Sequence, residues 1–295
     1  MAFHDLRQAL AVLRECSHGS PIATAQLRYM LQKIAGEYTR LAEQVPRDHA
    51  WRWGKLADSA KSMQDANALA LKHQLDEKLT GVLELVAFAA DIGRLNVLIE
   101  HGQGAPEQEN HGDASVRILS RIFGVMSVMH SRDSLWQAVL LAVKHHSDLK
   151  TPGGEVFSDN EAAFYLCLIL RDLDKMGGWI GKGRMYVQSR NEINRQMKAN
   201  GVVEEGFIPE SVIACFERGE PIDRKTCETY AGFMLQFLAW KFDFNFAESW
   251  DQVKEDGAPA IVLDYIRDQL VNYGNVAQWR RVKDAANKHN IATLD

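Results

Sequence analysis

Apolar residues recur along most of this chain at the three- and four-residue spacing of amphipathic helices. No segment shows the alternation of apolar and polar positions that is typical of a half-buried strand. The predicted helices span residues 3–15, 22–44, 55–73, 76–92, 111–130, 134–146, 159–175, 188–199, 210–218, 223–243, 258–273 and 276–290. Glycine is expected to end three of them, at Gly93, at Gly177 with Gly178, and at Gly219. The pattern therefore predicts an all-α protein.

Composition agrees with this prediction, because the chain has only 7 prolines in 295 residues and therefore long stretches without helix breakers. The net charge of −5 and the lack of a long basic block disfavour nucleic acid as the main partner. The longest uncharged run, residues 229–240, is too short to cross a bilayer, and the N-terminal segment lacks the apolar core of a signal peptide. Together with four scattered cysteines, these features lead us to expect a cytoplasmic protein without a membrane partner.

Histidines and carboxylates occur where several apolar helices begin or end. They lie in residues 90–94, 110–112, 145–146 and 171–175. His146 shares a helix face with apolar residues, whereas His145 points about 100° away from that face. Buried imidazoles and carboxylates need partners or a metal ion, and facing helices can bring them together. Each residue alone is explained more simply by a place in the core or at a helix end, but their order favours a shared site.

The order of these motifs resembles that of the HD superfamily, whose founding members are metal-dependent phosphohydrolases with an all-α core. The sequence ADIGR at 90–94 matches the family's His-Asp-Ile-Gly-Arg stretch at every position but the first. NHG at 110–112 fits the family's third histidine, and AVKHHSD places His146 at the fourth. RDLDK at 171–175 is similar to the Arg-Asp-Ala-Asp-Lys of one bacterial subfamily, with Asp174 as the final ligand. A later stretch, FDFNFAESWDQVKE, also resembles that subfamily.

The resemblance implies an HD-domain helical bundle with N-terminal and C-terminal helical additions. The expected parts are an N-terminal helical extension at 1–50, an HD-like core at 51–250 and C-terminal helices at 251–295 packed on that core. Two of the family's six ligand positions are changed in this chain. Ala90 stands where the family has the histidine of its His-Asp pair, and Ser59 aligns with the family's first histidine.

The resemblance also implies a depleted set of metal ligands. These are Asp91, His111, His146 and Asp174. In the family's two-metal form Asp91 would be shared, and the ion held by the later two histidines would keep Asp91, His111 and His146. Two imidazoles and one carboxylate form a facial triad with open positions. We expect one divalent ion, either Fe, Mn, Ni, Zn or Mg, or none.

The first functional hypothesis is a hydrolase of a phosphate ester or a nucleotide, acting on a small, phosphorylated molecule. The expected catalytic residues are Asp91, Asp174 as a general base, and Lys175. The expected substrate-binding residues are Arg94, Lys144, His145 and Arg171. Two alternatives stay open: a catalytically inert HD-fold module that binds a ligand or a partner, and altered chemistry in the same pocket. That chemistry would be a mononuclear iron oxygenase or metal-free acid–base catalysis. The seven tryptophans and the N-terminal helices leave a homodimer open.

Overall fold

The structure is a computed structural model that describes residues 3–47, 49, 51–102, 110–124, 131–148, 152–157, 160–188, 202–203 and 206–292, without the side chains of 51 and 180–188. Helices dominate these ranges, and the prediction of an all-α protein is confirmed. An isolated bridge between Val203 and Thr229 is the one extended pairing found in the described ranges. The helices fall into two compact units.

The first unit covers residues 4–177. Its helices are α1 (Leu6–Gly19), α2 (Thr24–Gln44), α3 (Trp51–Lys72), α4 (Glu77–Ala89), α5 (Ile92–His101), α6 (His111–Ile122), α7 (Ser134–His145) and the first part of α8 (Glu161–Gln188), with a 3-10 turn at Gly154–Phe157. Helix α4 is apolar on nearly every side and packs against α1, α2, α3 and α7. A helix that is apolar all round is expected in a core, and α4 is the central helix of this unit.

The second unit covers residues 178–295 together with 1–3. Its helices are the remainder of α8, α9 (Glu210–Arg218), α10 (Tyr230–Ala239), α11 (Ala247–Glu255), α12 (Ala258–Asn272) and α13 (Val276–Lys288), with 3-10 turns at Arg224–Thr226 and Trp240–Asp243. All residues of α10 are buried, and this helix packs mainly against α12. The predicted divisions after residues 50 and 250 stay predictions.

The predicted role of three glycines as helix ends is wrong. Gly93 lies inside α5, and the break falls before it, at Asp91. Gly177 and Gly178 lie inside α8, which continues to residue 188. None of these glycines has a positive φ. Gly177 instead lets Ser62 approach closely, and Gly178 does the same for Trp240, since an added Cβ would lie 3.3 and 3.2 Å from those side chains.

Other predicted boundaries agree to different degrees. Helix 210–218 is confirmed, and it ends on Gly219 in the left-handed conformation with φ 75°. The predicted helix 223–243 is divided, because only α10 is α-helical and a 3-10 turn lies on either side. Helix α11 was not predicted from the sequence. Residues 125–130 of one predicted helix, and nearly all of the predicted helix 188–199, lie outside the described residues.

Candidate metal centre

The centre is built around the break between α4 and α5. Ala90 keeps helical angles, but Asp91 has φ −95° and ψ 3°, and α5 begins at the next residue. The break leaves the Asp91 side chain buried inside the first unit, at the junction of two apolar helices. A buried carboxylate is stable only when positive charges or hydrogen-bond donors surround it, and the neighbouring helices supply both.

Gly93 and Ser115 hold the beginning of α5 against the beginning of α6. The Gly93 amide donates to Ser115 Oγ at 2.9 Å, and that hydroxyl donates to the carbonyl oxygen of Ala90 at 2.6 Å. A Cβ on Gly93 would lie only 2.2 Å from the carbonyl oxygen of His111. The absence of a side chain here allows the two helices to meet, and His111, the first residue of α6, therefore lies beside Asp91.

Three side chains converge at this point, one from each of three segments. His111 Nε2 lies 3.3 Å from Asp91 Oδ1, His146 Nε2 lies 3.7 Å from the same oxygen, and the two nitrogens are 3.2 Å apart. Donor atoms that share one ion at the usual 2.0–2.2 Å lie roughly 3–3.5 Å from one another. The spacing of Asp91, His111 and His146 fits one metal ion, and we call these residues the metal triad.

The orientation of His146 is fixed by the backbone. Its Nδ1 lies 2.7 Å from the carbonyl oxygen of Val143, which can only accept, so Nδ1 carries the proton. In the neutral ring Nε2 then has a free lone pair, and this atom faces Asp91 and His111. The His146 side chain is completely buried. A ring held through its second nitrogen is the usual arrangement of a metal-ligating histidine.

The electrostatics favour the protonation states that bind metal. Burial lowers the pKa of His111 to about 4, although the hydrogen bond to Asp91 opposes this shift, so the ring is neutral at pH 7. Burial would raise the pKa of Asp91, but the charges of Arg94 and Lys55 and the hydrogen bond from His111 hold it well below its usual range. The triad therefore combines the neutral imidazole of His111 with the ionised carboxylate of Asp91.

Two cations lie against the Asp91 carboxylate. Arg94 Nε is 2.6 Å from Oδ1, and Lys55 Nζ is 3.4 Å from Oδ2. Arg94 was predicted from the sequence as a substrate-binding residue, whereas Lys55 was not singled out. The one signal for Lys55 was its position on α3, four residues before Ser59 and hence on the same face of that helix.

The two changed ligand positions are both buried. Ser59 donates to or accepts from the hydroxyl of Tyr38 at 2.6 Å, so its polar group is satisfied within the core. Ala90 places a methyl group in the buried end of α4. Neither side chain offers the imidazole nitrogen that the HD pattern has at the corresponding position.

Asp174 and Lys175 lie at the periphery of the centre. Asp174 is exposed and is not one of the triad. Burial lowers the pKa values of Lys55 and Arg94, but the negative charges of Asp91 and Asp174 contribute to raising both above their usual values. Lys175 is half-buried, with Nζ 3.5 Å from the carbonyl oxygen of Arg171. The predicted roles of both residues in catalysis stay predictions.

The three remaining predicted residues surround the end of α7. Arg171 is buried, and its Nη1 donates to the carbonyl oxygens of His146 at 3.0 Å and Asp148 at 2.7 Å. His145 Nδ1 lies 2.8 Å from Asp148 Oδ2, and Lys144 is exposed with Nζ 3.7 Å from Asp113. In this structure the Arg171 guanidinium holds the turn that follows His146.

Comparisons with protein-family models, curated proteins and solved structures give no match to this chain. The geometry of the metal triad therefore carries the functional argument, and the resemblance to the HD superfamily stays a prediction. Among the described helices, none is both long enough and apolar enough to cross a membrane.

Proposed function

We propose that this chain is a metal-dependent hydrolase of a phosphate ester or a nucleotide, with a single divalent ion bound by the metal triad. The observation that carries the proposal is the convergence of two imidazole nitrogens and one carboxylate oxygen at 3.2–3.7 Å from one another. Such a set leaves coordination positions open for water and substrate. A bound divalent ion supplies Lewis acidity and lowers the pKa of a coordinated water.

The chain's own residues would bind and orient the substrate. Arg94 and Lys55 place two positive charges next to Asp91, which suits an anionic group such as a phosphate. Asp174 is exposed near both cations, where its carboxylate would accept a proton from an attacking water. These roles give an anionic substrate two kinds of contact: the open positions of the triad and the paired cations.

One observation favours a second candidate, the inert HD-fold module. Asp91 already has two cationic partners in the chain, Arg94 and Lys55, and a buried carboxylate paired in this way is stable without a metal ion. The composition of the triad also suits the third hypothesis, since two histidines and one carboxylate bind non-haem iron in oxygenases. Metal content and activity distinguish the three candidates.

The test begins with metal binding. Protein purified without chelator is analysed for metals by mass spectrometry and then titrated with Mn²⁺, Zn²⁺, Ni²⁺ and, without oxygen, Fe²⁺. We expect one ion per chain in the wild type. His146→Ala should weaken binding by more than about 100-fold, because changes beyond the direct ligands already cost 10–100-fold. His101→Ala is the matched control, because His101 is exposed at the end of α5.

The second step measures hydrolysis of bis-p-nitrophenyl phosphate and of nucleoside phosphates by the metal-loaded protein. Metal-dependent cleavage that is lost in His146→Ala supports the hydrolase. A wild type that binds no ion would exclude the metal-dependent hydrolase and leave the inert module or metal-free acid–base catalysis. Tight iron binding with oxygen consumption and no phosphate release would instead favour the altered chemistry.

A further inference from the structure

The ammonium group of Lys55 lies among carboxylates on one side of Asp91. Its Nζ is 3.1 Å from Asp58 Oδ2 and 3.4 Å from Asp91 Oδ2. Asp174 adds a third negative charge that acts on the same group. The imidazoles of the metal triad approach the other oxygen of Asp91, Oδ1. The two imidazoles and Arg94 thus approach one oxygen of Asp91, and the ammonium group approaches the other.

Lys55 is largely withdrawn from solvent, because only 13% of its side chain is exposed. A buried ammonium needs partners that replace the lost water, and Asp58 Oδ2 and Asp91 Oδ2 both lie within 3.4 Å of Nζ. The ammonium is therefore charged and is held by the surrounding carboxylates.

The two carboxylate oxygens that contact Nζ, Asp58 Oδ2 and Asp91 Oδ2, are also donors of the kind that hard divalent cations prefer. We infer that Lys55 occupies the position of a second cation next to the metal triad, and that this lysine limits the centre to one metal ion. The centre then contains one divalent ion and one ammonium group, joined by Asp91. The functional meaning of this arrangement rests on the proposed metal-dependent activity, but the position of the ammonium does not.

The test removes the ammonium and counts metal ions. Mn²⁺ binding is followed by the electron paramagnetic resonance signal of the free ion. Wild type should bind one equivalent, and Lys55→Ala should bind two, since Asp58 and Asp91 then lose the ammonium and can bind a second ion. Lys55→Arg keeps the charge and should bind one. Lys61→Ala is the matched control, because Lys61 lies on the same helix and pairs with Asp65 instead.

The same change in the His146→Ala background separates this inference from the proposed function. There Lys55→Ala should still add one equivalent relative to its parent. A wild type without bound metal whose Lys55→Ala variant gains an ion would exclude the hydrolase and support the inference. An unchanged count in Lys55→Ala, or two equivalents in the wild type, would overturn it.

If Lys55→Ala unfolds because its unpaired carboxylates repel one another, circular dichroism still tests the inference. Millimolar Mn²⁺ should in that case restore the helical signal of Lys55→Ala, and it should leave Lys61→Ala unchanged. A Lys55→Ala chain that stays unfolded with Mn²⁺ would contradict the inference.

Discussion

The two units bury different kinds of groups. At the centre of the first, the buried Asp91 pairs with the half-buried Arg94 and Lys55, and each charge has a partner of opposite sign. The second unit instead contains an aromatic cluster whose ring centroids lie 4.6–6.5 Å apart. The members of this cluster are Trp179, Phe237, Trp240 and Trp250.

The two interiors differ in whether a buried polar group can lack a hydrogen-bond or ionic partner. The indole nitrogens of Trp179 and Trp250 are buried and, within the described part of the chain, have no hydrogen-bond partner. An unsatisfied neutral donor costs about 1–3 kcal/mol, which a large aromatic contact area offsets. An unpaired charge costs considerably more. The aromatic cluster therefore tolerates an imperfect contact, whereas the charges around Asp91 must all be in place.

The largest effect is expected in the aromatic cluster. Trp179→Ala should lower the free energy of unfolding by about 3–5 kcal/mol, because it removes a fully buried ring that contacts three others. Urea denaturation measures the loss, and Trp179→Phe should lose less. Folded Trp179→Ala should keep the wild-type Mn²⁺ affinity, since the triad lies in the other unit. A fall in affinity comparable to that of His146→Ala would contradict this separation.

A smaller effect is expected where α5 meets α6. Gly93→Ala should destabilise the protein by about 3 kcal/mol, because its Cβ would overlap the His111 carbonyl oxygen and the helices must separate. Mn²⁺ binding should weaken in the same variant, since His111 moves with α6. The control is Gly36→Ala in α2, where nothing lies within 4 Å of the new Cβ. That substitution should stabilise by up to about 1 kcal/mol, and equal losses at both glycines would contradict the packing argument.

The smallest effect is a pH dependence of the metal-free protein. His111 has a pKa of about 4 in the folded chain and about 6.5 when unfolded. The unfolded chain thus binds a proton that the folded chain excludes, so stability is lost as pH falls from about 6.5 to 4. The loss should amount to about 1–3 kcal/mol in urea denaturation at several pH values. His111→Gln should flatten this profile and His101→Gln should not; a profile unchanged in His111→Gln would disprove the assignment.

Much of this arrangement follows from the sequence. Helical spacing predicts most helices, and the resemblance to the HD pattern predicts that Asp91, His111 and His146 come together. The only signal for Lys55 is its position four residues before Ser59, because a lysine in the partly polar helix α3 is ordinary and its contact with Asp91 depends on how α3 packs. Gly93 misleads for a related reason: a glycine after an apolar run resembles a helix end, and only the contact with α6 shows its actual role.

The hydrogen bonds from Arg171 have a consequence for the energetics of metal uptake. The guanidinium binds two carbonyl oxygens at the end of α7, and the Val143 carbonyl fixes the ring of His146. This ligand is thus ordered before any ion arrives, and little conformational entropy remains to be lost on binding. The free energy of coordination is then available for affinity rather than for folding the site.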